Sequence, residues 1–217
     1  MNDIIVRKAA FLKGAVNPKG FPDWDSPEIA FAGRSNVGKS SALRLMVEKR
    51  CKVRISSTPG RTREINFFSV ELSDGLSLGF VDLPGFGYAK VPLWKREEWA
   101  PLVGKYLEGR KRGRYNLKGV VLFCDLRRGP EEEEVNLLEW LDELKIPAVM
   151  AFTKSDKLSK SKRKPALMAN RKVLPESALS RDPILFSGKS GDGVDLLWKR
   201  LRKMLIDPTV GESDNKG

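Results

Sequence analysis

Short apolar runs alternate with amphipathic stretches along this chain, and the alternation predicts an α/β sheet. Glu28-Ile29-Ala30-Phe31-Ala32 reads as a strand that ends at Gly33, and Lys39 to about Glu48 reads as a helix. Ile65–Leu72 and Leu76–Asp82 read as strands on either side of Ser73-Asp74-Gly75, a hairpin signal. Val120–Cys124 is continuously apolar, as a strand covered on both faces would be. Pro130 followed by Glu131–Glu134 predicts a helix start, with Pro at the first helical position and acids in the first turn. Val135, Leu138 and Leu141 would then form its inward stripe. Pro147–Phe152 and Pro183–Phe186 complete the set of buried strands, and a helix after Asp192 is expected to turn Leu196, Leu197, Leu201 and Leu205 inward. The pattern contains no internal repeat. It places one domain at residues 27–206, an extension packing on or preceding it at 1–26, and a polar tail at 207–217 that is expected to be disordered.

Composition adds limits. The chain has 217 residues, 41% of them hydrophobic, which suits one domain with short tails. No apolar run approaches the ~18 residues of a membrane span. The opening MNDIIVRKAAFL carries Asp3, Arg7 and Lys8 and lacks the unbroken apolar core of a signal peptide. A soluble, cytoplasmic protein without a membrane partner is expected. The absence of histidine excludes a His general base, a catalytic triad and a His-ligated metal. The two cysteines, Cys51 and Cys124, read as reduced thiols, with Cys124 buried in its strand. Lys plus Arg is 40 against 28 for Asp plus Glu, giving a net charge of +12. Such a surface attracts polyanions, so a nucleic-acid partner is expected. The cations cluster at Lys49–Arg54, Arg110–Arg114, Lys157–Lys164 and Lys199–Lys203.

The candidate chemistry begins at Gly33-Arg34-Ser35-Asn36-Val37-Gly38-Lys39-Ser40, which fits G-x-x-x-x-G-K-[ST] between a predicted strand and a predicted helix. Glycines let backbone N–H groups converge on a phosphate, and the helix N-terminus adds positive potential. Lys39 is placed to reach the β- and γ-phosphates, and the Ser40 hydroxyl to ligate Mg²⁺. Asp82-Leu83-Pro84-Gly85 ends another strand as D-x-x-G. Asp82 would hold the magnesium through water, and the Gly85 N–H would meet the γ-phosphate. Thr153-Lys154-Ser155-Asp156 is close to N-K-x-D with Thr first. The Asp156 carboxylate can accept from guanine N1–H and the exocyclic amine, whereas adenine presents an acceptor at N1. Phe186-Ser187-Gly188, at the end of the last strand, is expected to bring a backbone N–H to guanine O6. GTP is therefore expected over ATP.

Between these motifs, Pro59-Gly60-Arg61-Thr62 lies where a GTPase supplies a Thr to Mg²⁺ and the γ-phosphate. Thr62 is the choice for that role, and Thr58 reads as a turn residue competing for it. Phe86 follows Gly85, where related enzymes place a Gln that orients water, so hydrolysis without stimulation is expected to be slow. Beyond it, Trp99 is expected to pack a helix onto the sheet, and Trp94 to be exposed.

Together GRSNVGKSS, TPGRT, DLPGFGYAKV and TKSDK resemble the EngB family of bacterial GTPases, with similarity running from about Pro27 to about Leu205. The resemblance implies a three-layer Ras-like P-loop GTPase domain with a mostly parallel central sheet. It implies a molecular switch acting in assembly of the large ribosomal subunit, with the pre-ribosomal particle and its rRNA as partners; separately, a monomer is expected. Gly33 to Ser41 would be the phosphate loop, Thr62 the switch I threonine, and Asp82 and Gly85 the start of switch II. Thr62 and Gly85 would serve hydrolysis, and Asn36 is a candidate potassium ligand, as in related K⁺-stimulated enzymes. Arg61 and Gly188 depart from the family's commoner Lys and Ala or Ser. The alternative is a nucleotide-gated RNA- or protein-binding module with negligible turnover, acting outside ribosome assembly, for example in cell division.

Overall fold

The structure is a computed structural model that describes residues 6–48, 64–86, 101–109, 116–175 and 182–206. Strands β1 (Val6–Ala15), β2 (Glu28–Gly33), β3 (Ile65–Leu72), β4 (Ser77–Asp82), β5 (Leu117–Asp125), β6 (Ala148–Thr153) and β7 (Ile184–Leu185) form one sheet in the order β1-β3-β4-β2-β5-β6-β7. The ladders from β4 through β2, β5 and β6 to β7 are parallel, and β3 alone runs against its neighbours. Helices α1 (Lys39–Glu48), α2 (residues 101–109), α3 (Glu132–Glu143), α4 (Lys160–Arg171) and α5 (Val194–Ile206) cover the sheet.

The layers follow from alternation within buried strands. On β5, Val120, Leu122 and Cys124 join the core shared with Leu102, Tyr106, Leu138 and Leu141, while Val121 and Phe123 join the core shared with Met46, Leu197, Trp198 and Leu201. β2 and β6 are buried at every position, as central parallel strands between two helical layers must be. Trp198 joins two helices of one layer, donating its indole N–H to the Met46 carbonyl at 3.2 Å.

Four details differ from the sequence pattern. Residues 6–15, taken as part of an extension, form an edge strand of the same sheet. Lys8 and Lys13, with register shifts beside each, make that edge a poor template for further pairing. Pro130 sits outside α3, one residue ahead of its N-cap Glu131, because Glu134 reaches back to accept from the Glu131 N–H at 3.1 Å. The α3 stripe is Leu137, Leu138 and Leu141, with Val135 only half-buried. On α5, Leu196 is exposed and Leu205 half-buried, while Val194, Trp198 and Met204 point inward with Leu197 and Leu201.

Glu28 opens β2 fully buried. Its carboxylate accepts from Tyr106 Oη at 2.5 Å and Trp24 Nε1 at 2.6 Å. Burial raises its pKa, and the Tyr106 and Trp24 hydrogen bonds oppose the rise. The Tyr106 bond ties the start of the central strand to α2. Tyr106→Phe keeps the ring and removes one donor to a buried acid, so a loss of about 1.5–3 kcal/mol is expected. Urea unfolding followed by far-UV circular dichroism checks it, and an unchanged midpoint would contradict this role for the hydroxyl.

Candidate nucleotide-binding site

β2, β4 and β6 end at the same edge of the sheet, and the phosphate loop hangs from β2. At Gly33 a Cβ atom would fall 2.8 Å from the Phe123 carbonyl oxygen and 3.0 Å from Val37 Cγ1, so no side chain fits. Asn36 (φ 63°) and Gly38 (φ 104°) take left-handed conformations that curl the loop back onto α1. Val37 plugs the loop into the core, and α1 begins at Lys39. Ser40 and Ser41 are exposed on its first turn.

The D-x-x-G stretch is stitched to this loop by main chain. Leu83 N donates to Phe31 O at 3.0 Å, Phe86 N to Gly33 O at 3.3 Å, and Ser35 N to Phe86 O at 2.9 Å. Gly85 lies so close that a Cβ there would meet Ser35 Oγ at 3.0 Å. Asp82 stands beside Phe31 in the β2–β4 ladder, which puts its carboxylate under the phosphate loop. There it pairs with the Lys39 ammonium, which also donates to the Leu83 carbonyl at 2.7 Å. Burial raises the Asp82 pKa, and Lys39 counters it. The Phe86 ring is buried with Leu83 and Ala32. It offers no polar atom toward solvent.

The base-side loops are joined to the phosphate loop as well. Thr153 Oγ1 donates to Val37 O at 2.8 Å, with Cys124 O at 3.2 Å. Thr in the first position of this motif thus braces the phosphate loop. Lys154 has φ 57°, and its ammonium donates to Asn36 O at 2.8 Å while pairing with Asp125 at 3.2 Å. Asp156 accepts from Ser187 Oγ at 2.7 Å, the first cause of its lowered pKa. Ser187 Oγ in turn accepts from the Lys189 and Ser190 N–H groups at 3.2 and 3.0 Å. Ser155 is buried, with its N–H on the Phe186 carbonyl at 3.2 Å. A Cβ on Gly188 would lie 3.5 Å from Ser41 Cβ, an ordinary contact, so an Ala would fit here.

The described residues among those marked in the sequence therefore meet at one edge, with differences in role. Arg34 sends its guanidinium to Glu131 and to Glu133 at the start of α3. Phe186 is fully buried against Phe123, so its side chain is core. Val37 and Leu83 are core for the same reason. Pro59, Gly60, Arg61 and Thr62, with Thr58, Trp94, Trp99 and Cys51, lie outside the described residues. One residue was missed. Asp125 ends β5 and receives Arg127 Nη2 at 2.7 Å and Arg127 Nε at 3.0 Å besides Lys154. Burial alone would raise it, but the Arg127 and Lys154 hydrogen bonds hold its pKa at about 2. An acid at the end of an apolar strand, repeating the placement of Asp82, was the available signal.

Loops at the carboxyl ends of parallel strands, with a lysine-bearing glycine turn at their centre, define a P-loop nucleotide-binding protein. A family model described as a 50S ribosome-binding GTPase matches residues 28–154. "Probable GTP-binding protein EngB" of Geobacter sp. (strain M21) is 45% identical over 97% of this chain and 93% of its own length. Its namesake in Trichlorobacter lovleyi is 46% identical over 91% and 95%. A crystal structure of a probable GTP-binding protein engB superposes with a TM-score of 0.57 at 27% identity, covering 82% of this chain and 98% of that one. Era in complex with MgGDPNP and a 16S ribosomal RNA fragment superposes at 0.62 with 21% identity over 84% and 57%, a likeness of fold alone. The chain belongs to the EngB family of GTP-binding proteins, and its fold is that of the Ras-like P-loop GTPases.

Thr153→Val preserves shape and deletes the brace on Val37. Losing one hydrogen bond of about 0.5–1.5 kcal/mol predicts roughly two- to tenfold weaker GDP binding with the fold retained. Titration with a fluorescent GDP analogue measures it, and unchanged affinity would show that the brace is dispensable.

Proposed function

We propose that this protein is a molecular switch that hydrolyses GTP in the cytoplasm during assembly of the large ribosomal subunit. The observation that carries the GTP reading is the Ser187–Asp156 hydrogen bond, which fixes an ionised carboxylate beside the Gly188 backbone. Asp156 would accept from guanine N1–H and the exocyclic amine, and the Gly188 N–H would donate to O6. Lys154, held between Asn36 O and Asp125, would lay its stem over the base.

Magnesium fits the phosphate side. Ser40 offers an exposed hydroxyl and Asp82 a half-buried carboxylate, both hard oxygen donors. Among the described residues no cluster of three His, Cys, Asp or Glu side chains could hold a metal. The ion would therefore draw its other ligands from phosphates, water and Thr62. When bound, it would neutralise charge on the phosphates, and Lys39 would leave Asp82 for the β- and γ-oxygens.

Two features support the ribosomal part: the description of the matching family model and the net charge of +12. No described helix is long and apolar enough to cross a membrane. Buried Phe86 leaves the catalytic water without a side-chain partner at that position. Asn36, exposed on the phosphate loop, would help to hold a K⁺ ion that stabilises charge between the β- and γ-phosphates. The same Phe86 burial favours a second reading, a nucleotide-gated binding module with negligible turnover.

Co-sedimentation with isolated ribosomal subunits tests the switch. Binding to the large subunit with a non-hydrolysable GTP analogue, and not with GDP, is expected. Nucleotide-independent binding, or none, would remove the ribosomal assignment while leaving GTP binding intact.

GTP turnover at matched ionic strength tests the potassium role, and faster hydrolysis in K⁺ than in Na⁺ is expected. Equal rates would exclude that role. No hydrolysis under either salt, even with large subunits present, would favour the gated module.

A further inference from the structure

From Lys157 to Pro175 the chain contains no acidic residue. Within this stretch α4 buries none of its own residues fully, and it rests on the core through the half-buried Ala166 and Leu167. Lys160, Lys162, Lys164, Arg171 and Lys172 are all exposed. None of them forms an ion pair with a described residue. Lys160, Lys164 and Arg171 recur at i, i+4 and i+11 and so share one side of the helix. Asn170 on the adjoining turn donates to the Leu126 carbonyl at 2.9 Å. That bond holds the C-terminal turn of α4 against the loop bearing exposed Arg128, which extends the cationic surface.

The contrast with α5 gives this surface its meaning. The two helices are comparably basic in sequence, yet on α5 Arg200 pairs with Asp182 at 3.1 Å and Arg202 with Asp74 at 2.5 Å. The fold pairs those arginines, whereas among the described residues only Arg163 of the α4 cations meets an acid, Asp192 at 3.5 Å. Moreover, α4 opens with Lys160 and Lys162 in its first turn, with no acid there and no side-chain cap bond. Cations at a helix N-terminus oppose the macrodipole, so local stability does not account for this choice of residues.

We propose that the exposed face of α4, with Arg128, is an RNA-docking surface that grips the phosphate backbone. This deepens the reading of a switch that acts on an RNA-containing particle, and rests on it. Lysines interleaved with small polar Ser159 and Ser161, without aromatic residues, fit phosphate contact rather than base stacking. A membrane is the poorer fit, because Ala166 and Leu167 pack on the core and Met168 is the one large apolar side chain that α4 exposes, too little for an apolar face to insert. The surface lies outside the D-x-x-G and switch I segments that read the γ-phosphate. Docking through α4 therefore operates with GDP as with GTP, and the switch loops add the nucleotide dependence.

The test uses the full-length GDP-loaded protein and purified large-subunit rRNA, with binding followed across a salt series. In K160Q/K162Q/K164Q/K172Q, affinity should fall at least tenfold and the slope of log K against log salt should shrink by about 3. Affinity for a fluorescent GDP analogue and the thermal midpoint should hold, since Gln is a good helix former and cations leave the N-terminal turn. R200Q/R202Q serves as control and should bind RNA nearly as the parent does. Unchanged RNA binding by the α4 variant, or equal losses in both variants, would overturn the proposal. So would α4-dependent binding to vesicles of phosphatidylserine and phosphatidylcholine without binding to rRNA. Failure of the parent to bind free rRNA, alongside GTP-dependent large-subunit binding, would sink α4 docking and spare the switch. The reverse pattern would spare the surface and sink the switch.

Discussion

The phosphate loop depends on its neighbours for its shape. It leaves β2 with left-handed residues at Asn36 and Gly38. Its conformation is fixed by Ser35 and Gly33 bonding to Phe86, by Thr153 bonding to Val37 O, and by Lys154 bonding to Asn36 O. These contacts come from the ends of two strands, β4 and β6. A buried backbone group without a partner is costly, so correct placement of β4 and β6 is what makes this loop conformation the one of lowest free energy. Phosphate binding and fold are thereby coupled through the same hydrogen bonds.

The charged groups near the site sort into two kinds. Lys39 with Asp82, and Lys154 with Asp125, are cations held by buried or nearly buried acids. Such pairs orient a long side chain and keep it from collapsing elsewhere, at a desolvation cost that the neighbouring carbonyls reduce. Lys39 can exchange Asp82 for phosphate oxygens because both are anionic. On the surface, by contrast, long cations gain little from pairing and remain available to a polyanion. The same chain therefore uses lysine as an internal clamp at one edge of the sheet and as an unpaired cation on α4.

Glu28 shows how the sheet can carry such a site. A carboxylate at the first position of a central strand would be destabilising in an apolar core. Tyr106 and Trp24 satisfy both of its oxygens, so β2 is anchored at the end opposite the phosphate loop. Strand and loop are thus fixed from both ends.

Strands β2 to β7, the glycine turn and the order of the motifs were legible in the sequence, because these rest on local periodicity and on residues whose backbone geometry is special. Gly33, Gly38 and Lys39 could be placed before any contact was known, and so could Asp82 at the end of its strand. Only the tertiary structure decided what each side chain does. Arg34 belongs to Glu131, Phe186 to the core and Thr153 to the phosphate loop, and Asp125 holds Lys154. Residues 6–15 became a sheet edge through pairing with β3, which no local pattern announced. On α5 both arginines meet acids, Asp182 and Asp74, whereas on α4 only Arg163 does, a difference that the two basic sequences do not announce. The physical reason is common to all of these. Periodicity is written within a few neighbouring residues, whereas hydrogen bonds and ion pairs join residues far apart in the chain, and their partners are known only once the chain has folded.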